Sequence, residues 1–143
     1  MPTQLGRFMT LDPTQDIVEL RLPLRLQYLN VIRATVGVIA GTLDFTYDEV
    51  MQFRVALSEI FELATHLAEH EGAEHPGDIS FRFEPQPDGL AVRVGAAVNV
   101  VRDLVAEDQD ESRALLDSLM DSVEFDTDGT VHLMKYRSIR EAT

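Results

Sequence analysis

His66-Leu67-Ala68-Glu69-His70 places two imidazoles four residues apart with a carboxylate between them. On a helix, positions i and i+4 share a face, so His66 and His70 can hold a divalent metal while Glu69 serves as general base. The string has the H-x-x-E-H form of a zinc-peptidase motif. Such chemistry needs a third protein ligand, and no later segment singles one out. The plainer reading is two histidines at the solvated end of a helix, where positive charge suits the helix dipole. A second set, Glu59, Glu62 and His66, falls at i, i+3 and i+7 and lines one stripe of the same helix. It reads either as a carboxylate site for a base or metal, or as a solvated face. None of the four histidines has a context that marks a Ser-His-Asp arrangement. The glycines are too scattered to gather backbone amides around a triphosphate. Arg33 interrupts an otherwise apolar helix, where it either snorkels to water or anchors an interface.

The elements that would position these residues follow from hydrophobic period. Val18, Leu20 and Leu22 alternate with Glu19 and Arg21, the pattern of a half-buried strand that Pro23 stops. Leu29, Ile32, Val36, Ile39 and Leu43 recur every three or four residues, which predicts an amphipathic helix from Leu26 to Leu43. Thr46 and Glu49 form a capping-box pair at the start of a second, long helix. Val50, Phe53, Leu57, Ile60, Ala64 and Leu67 carry that helix on until Gly72 and Pro76 end it. Ile79, Phe81 and Phe83, then Leu90, Val92 and Val94, predict a hairpin whose turn falls in Pro85 to Gly89, strongest at Asp88-Gly89. Gly95 to Asp110 is ambiguous, with a short helix conceivable around Val98 to Val105. Leu115, Leu116, Leu119 and Met120 suggest a third helix. Val123 to Tyr136 makes a closing hairpin around Asp126 to Gly129. This order gives an α+β fold, a two-layer sandwich of a largely antiparallel mixed sheet with three helices on one face. Residues 1–15 read as a flexible lead-in and 16–143 as a single domain.

At 143 residues and 16.0 kDa the chain can build one sizeable core. It has no cysteine, which excludes disulfides, thiol nucleophiles and cysteine-bound metal. Its formal charge of −13 disfavours direct nucleic-acid binding and favours a basic partner. No apolar run reaches membrane-spanning length and no basic-then-apolar leader is visible, so the expectation is a cytoplasmic protein. The acids are dense between residues 102 and 128, where a solvated surface and a partner interface are equally open readings.

Several strings then occur in a familiar order. They are Leu22-Pro23, Val31-Ile32-Arg33, Asp44-Phe45-Thr46-Tyr47-Asp48-Glu49 and Arg54-Val55-Ala56-Leu57-Ser58-Glu59. Leu116 to Val123 and Met134-Lys135-Tyr136 complete the series. In these the chain resembles the RsbW-type anti-sigma factor serine kinases of bacterial partner-switching systems, within the histidine-kinase-like (GHKL) ATPase superfamily. The resemblance spans about Glu19 to Tyr136. It implies a GHKL-type sandwich and a homodimer, with a sigma factor and an anti-sigma antagonist of the STAS type as partners. It also implies that Glu59 is the base toward a substrate serine and that Arg33 lies at the partner face.

Departures from the family pattern fall on the nucleotide. The family's magnesium-binding Asn corresponds to Leu63, which cannot coordinate a metal. Moving the register to Glu62 and His66 restores a polar pair but breaks the Ser-Glu match. The adenine-binding Asp-x-Gly falls on Ala96 and Val98, and the Gly-rich lid corresponds to a shorter, glycine-free stretch from Val98 to Glu111. The implied function is sequestration of a sigma factor without bound ATP or magnesium. An active kinase using Glu59 and an atypical nucleotide pocket is the alternative; a scaffold or dimerisation module and a zinc hydrolase stand further off.

Overall fold

Alternating side chains split the sheet into one apolar and one charged face, and everything else is packed on the apolar one. The computed structural model describes residues 16–72, 75–105 and 110–138. The lead-in expected at 1–15 lies outside them. Strands β1 (Val18–Pro23), β2 (Asp78–Gln86), β3 (Gly89–Ala96), β4 (Ser122–Phe125) and β5 (Val131–Tyr136) form one sheet in the order β1-β2-β3-β5-β4. Ile79, Phe81, Phe83, Val92, Val94, Val131 and Leu133 point into the core and are buried. Glu19, Arg21, Ser80 and Arg93 take the alternate positions and are exposed. Arg82 ties that outer face together, meeting Glu19 at 2.6 Å and Glu84 at 2.9 Å, and Arg93 meets Glu84 at 3.1 Å.

The helical layer contains α1 (Leu29–Thr42), α2 (Tyr47–His70), α3 (Val100–Val105) and α4 (Asp110–Leu119), with a 3-10 turn at Leu26–Tyr28 leading into α1. Ile32, Val36, Ile39 and Ala40 form the buried stripe of α1. Phe53, Leu57, Ile60, Phe61, Ala64 and Ala68 form that of α2. Each fully buried Leu, Ile or Phe contributes about 1.5–3 kcal/mol relative to exposure. Asp44, at φ 65°, reverses the chain between the two helices, and Phe45 sets its ring edge-on to Phe53 at 5.1 Å. The architecture is a GHKL-like α+β sandwich.

Three details differ from the sequence expectation. Among the described residues every strand pair is antiparallel, where a mixed sheet was expected. The described helices number four α-helices, because the short segment at Val100–Val105 is one and α4 begins ahead of its leucines. The β2–β3 turn consists of Pro87 and Asp88, with Pro85 inside β2 opposite Leu90 and Gln86 opposite Gly89. Gly89 is needed as a strand residue and not as a turn: a Cβ there would lie 2.2 Å from the Lys135 carbonyl oxygen on β5.

The predicted capping box is present and has a second use. Thr46 Oγ1 accepts from the Glu49 amide at 3.2 Å, and Glu49 Oε1 accepts from the Thr46 amide at 2.8 Å. The other carboxylate oxygen of Glu49 accepts from both the amide and the hydroxyl of Ser138, at 2.9 and 3.1 Å. One side chain therefore caps α2 and clasps the segment that leaves β5. Burial alone would raise the Glu49 carboxyl, but the hydrogen bonds from Thr46 and Ser138 outweigh it and hold the group below its usual range.

Glu49→Ala is expected to cost about 2 kcal/mol of unfolding free energy at neutral pH, the sum of a lost cap and a lost charged hydrogen bond. Because the folded group ionises below its unfolded value, this contribution is complete above about pH 5 and is lost as pH falls through the folded pKa. Urea unfolding of both proteins at about pH 7 and about pH 3 checks the sign. The gap between them narrows in acid; an equal gap would contradict the assignment.

Candidate functional site

Helix α2 distributes the residues of interest around its exposed arc because its buried stripe fixes its rotation. Glu59 and Leu63 lie toward α4. Glu59 Oε1 accepts from the Ser112 hydroxyl at 2.7 Å, joining the middle of α2 to the first turn of α4 across 53 positions. Leu63 is partly buried and packs against the hydrophobic core. Ala96 ends β3 opposite Ile79 and is also packed on the core, while Val98 is buried within it. At all three places the side chain is hydrocarbon set against hydrocarbon. None of them offers an oxygen to a magnesium ion or an acceptor to an adenine amine.

Glu62 and His66 are exposed and turn away from Ser112. With Leu26, Leu29, Thr65 and Glu69 they line a groove of about 300 Å³ between the 3-10 turn and α2. A neighbouring groove of about 290 Å³ continues past Leu24, Arg25 and Pro76. A third, of about 450 Å³, lies on the charged sheet face between Arg21, Arg82 and Arg93. None of these three includes Glu59, Leu63, Ala96 or Val98. Thus Glu59 and the shifted pair Glu62–His66 do not converge on one cavity. His66, Glu69 and His70 are each exposed in the last turns of α2. Among the described residues no three His, Asp or Glu side chains are grouped to hold a metal ion.

Much of the acidic stretch is committed to structure. Asp117 pairs with Arg113 at 3.1 Å, and Asp121 accepts from the Tyr136 amide at 2.7 Å. Asp126 meets the His132 ring at 2.6 Å. Asp128 accepts from the Thr130 amide at 3.0 Å, a bond that holds its carboxyl below the usual range. Glu107 and Asp108 lie outside the described residues.

Arg33 is half-buried, and among the described residues it has no hydrogen-bond or ion-pair partner. It is the sole ionisable residue of α1 and borders an uncharged surface of Val31, Ala34, Val38 and Gly41. Val38 is 70% exposed and Val31 41%, which puts two aliphatic side chains on the solvent side of α1. Sequence reasoning missed two further residues. Ser112 lacked any local signal, because its partner is remote. Arg54 lies within a string that carries the family resemblance, but its environment was not legible. Its Nε is fully buried without an acceptor, a state that costs about 1–3 kcal/mol when left unmatched.

No family model matches the chain. Individual relatives do. The serine-protein kinase RsbW of Bacillus subtilis strain 168 is 32% identical over 80 residues, covering 55% of this chain and 48% of that protein. Over that stretch the chain is similar to the RsbW serine-protein kinases. The Bacillus velezensis RsbW is 30% identical over 79 residues, and the Bacillus pumilus RsbW 26% identical over 84, which covers 59% of this chain. The chain spans about half the length of the curated relatives it matches, a narrower extent than the Glu19 to Tyr136 of the sequence resemblance. Among the described residues no helix is long and apolar enough to cross a membrane.

Ser112→Ala removes the hydroxyl that Glu59 accepts from and is expected to cost about 1 kcal/mol. Amide hydrogen exchange should quicken across α4 and stay unchanged in the sheet. Equal protection of α4 in both proteins would show that this bond does not hold the helix down.

Proposed function

We propose that the chain is a partner-switching regulator of the anti-sigma type, which sequesters a sigma factor and is released by a STAS-type antagonist without phosphoryl transfer. The observation that carries this is the contrast between two regions of one RsbW-type fold. Where a nucleotide site would need Asn, Asp and Gly, the chain has Leu63, Ala96 and Val98 in apolar surroundings. Where a partner face would be, it has an unpaired Arg33 beside an exposed, uncharged helix surface. Losing a metal ligand, an adenine acceptor and a glycine-rich lid each removes a polar or charged contact worth about 1–3 kcal/mol.

Affinity on the α1 face would come from burying Val31 and Val38, with Arg33 at the rim. The −13 charge adds long-range attraction for the basic DNA-binding regions of a sigma factor. Release follows when an antagonist competes for the same surface. A homodimer and a cytoplasmic location go with this role, and neither ATP nor magnesium is needed for it.

One observation favours a second reading. Glu59 accepts from a serine hydroxyl at 2.7 Å, which is the geometry a general base needs toward a serine substrate. An active kinase with an atypical nucleotide pocket would use that same carboxylate.

The test is affinity capture from native cell extract at moderate salt, comparing the unaltered chain with Arg33→Ala. A sigma factor or a small STAS-like protein should co-purify in stoichiometric amount with the former. Arg33→Ala should weaken the captured complex by about tenfold or more while the thermal midpoint is unchanged. A well-folded chain that captures neither partner would refute the proposal.

A further inference from the structure

We infer that the trough between the 3-10 turn and the C-terminal half of α2 docks a partner-protein segment that carries Lys or Arg beside Leu or Ile. This deepens the reading of the chain as a partner-binding regulator and rests on it. The surface is separate from the Val31 and Val38 side of α1.

The argument starts from charge that the described fold leaves unneutralised. From Val55 to Gly72 the chain has Glu59, Glu62, Glu69 and Glu71 and no Lys or Arg. Glu59 is taken by the Ser112 hydroxyl. Glu62 and Glu69 are exposed, and among the described residues neither has a hydrogen-bond or ion-pair partner. The end of α2 adds to this, because a helix C-terminus carries partial negative charge and favours a cation. Here the last turn has only His70 as a basic residue, between Glu69 and the cap residue Glu71. Acids in that place oppose the helix dipole and add nothing to the core, so folding gives no reason for them. Other acids are treated differently. Glu19 and Glu84 pair with Arg82, and Asp117 pairs with Arg113.

Shape supplies the second half. The groove of about 300 Å³ that holds Glu62 is lined also by Leu26, Leu29 and Glu69. The groove of about 290 Å³ beside it shares Leu26 and Glu69. The two make one trough, with Leu26 54% exposed where they meet. Each volume is at the low end of ligand cavities, about 300–1,000 Å³, and suits one or two side chains better than a whole cofactor. The one arginine on the lining, Arg25, belongs to the second groove, so the trough is most acidic toward Glu62.

Together these features select a basic, aliphatic segment. Glu62 and Glu69 are two turns apart along α2, about 10 Å, so a segment running beside the helix meets each with its own basic residue. Aliphatic side chains between those residues would cover Leu26 and Leu29. The −13 charge draws such a segment in, and the trough gives it a register.

The test uses the full chain and a capped Lys/Leu dodecapeptide at about 0.1 M salt, with Gln/Leu and Lys/Ser dodecapeptides as controls. The methyl resonances of Leu26 and Leu29 are followed by NMR. They should shift saturably with the Lys/Leu peptide and with neither control. Glu62→Gln combined with Glu69→Gln should weaken binding by about tenfold without lowering the thermal midpoint, since an acid leaves a helix C-terminus. The same charge change made elsewhere, Glu111→Gln with Glu124→Gln, should alter affinity by less than about twofold, because distant exposed charges are screened. Absent methyl shifts, equal shifts with either control, unchanged binding in the first double variant, or equal weakening by both would each overturn the trough. Peptide binding that persists when neither a sigma factor nor a STAS-like protein is captured would remove the functional reading alone. Capture with no peptide response would remove the trough alone.

Discussion

The rotation of α2 on the apolar face of the sheet decides where every candidate residue ends up. Phe53, Leu57, Ile60, Phe61, Ala64 and Ala68 must be buried together, and their spacing leaves one orientation for the remaining side chains. In that orientation Arg54 lies on the α1 seam, Glu59 and Leu63 lie toward α4, and Glu62 and His66 line the groove beside the 3-10 turn. Rotating the helix to bring Glu62 and His66 to the α4 side would drag hydrophobic side chains into water. The cost of that, at about 1.5–3 kcal/mol per side chain, exceeds anything the polar pair could return.

This constraint separates what the fold keeps from what the site keeps. The GHKL-like sandwich depends on apolar stripes, and those are intact from β1 to β5. A nucleotide site depends on a few polar atoms placed at the edge of the same core, and such atoms can be replaced by hydrocarbon without disturbing the stripes. Leu63 and Ala96 pack against the core and Val98 is buried within it, and under the proposed function they are replacements of this kind. The Ser112–Glu59 bond docks α4 on α2, and under the proposed function it occupies the carboxylate that a kinase would use as base. Under the proposed function the chain trades a mobile phosphate lid for a short helix held in place. Arg33 on α1 and Arg54 on α2 are among the cations with no carboxylate partner in the described residues.

What could be read from the sequence was local. The Thr46–Glu49 box was visible because its two halves are three residues apart, and both hydrogen bonds are present. The strands were visible because alternation is a property of single segments. Their boundaries were less so: Pro85 looked like turn material but is paired in β2, and Gly89 is glycine because of a carbonyl 46 positions later. The start of α4 was hidden by its polar residues, which lack a stripe until Leu115 and Leu116. The candidate site was legible only in part. Glu59, Leu63 and Arg33 could be named, but Ser112 against Glu59, Ser138 against Glu49 and Gly37 against Arg54 are pairings between distant segments. No period or motif encodes such pairings, because they follow from how the helices are seated on the sheet.

The central claim is that the fold has outlived its nucleotide site, and titration calorimetry with magnesium ATP meets it most directly. The account predicts no saturable heat up to about 1 mM nucleotide, and no difference when magnesium is withheld. A magnesium-dependent dissociation constant in the micromolar range would contradict it. That result would return Glu59 to the role of catalytic base.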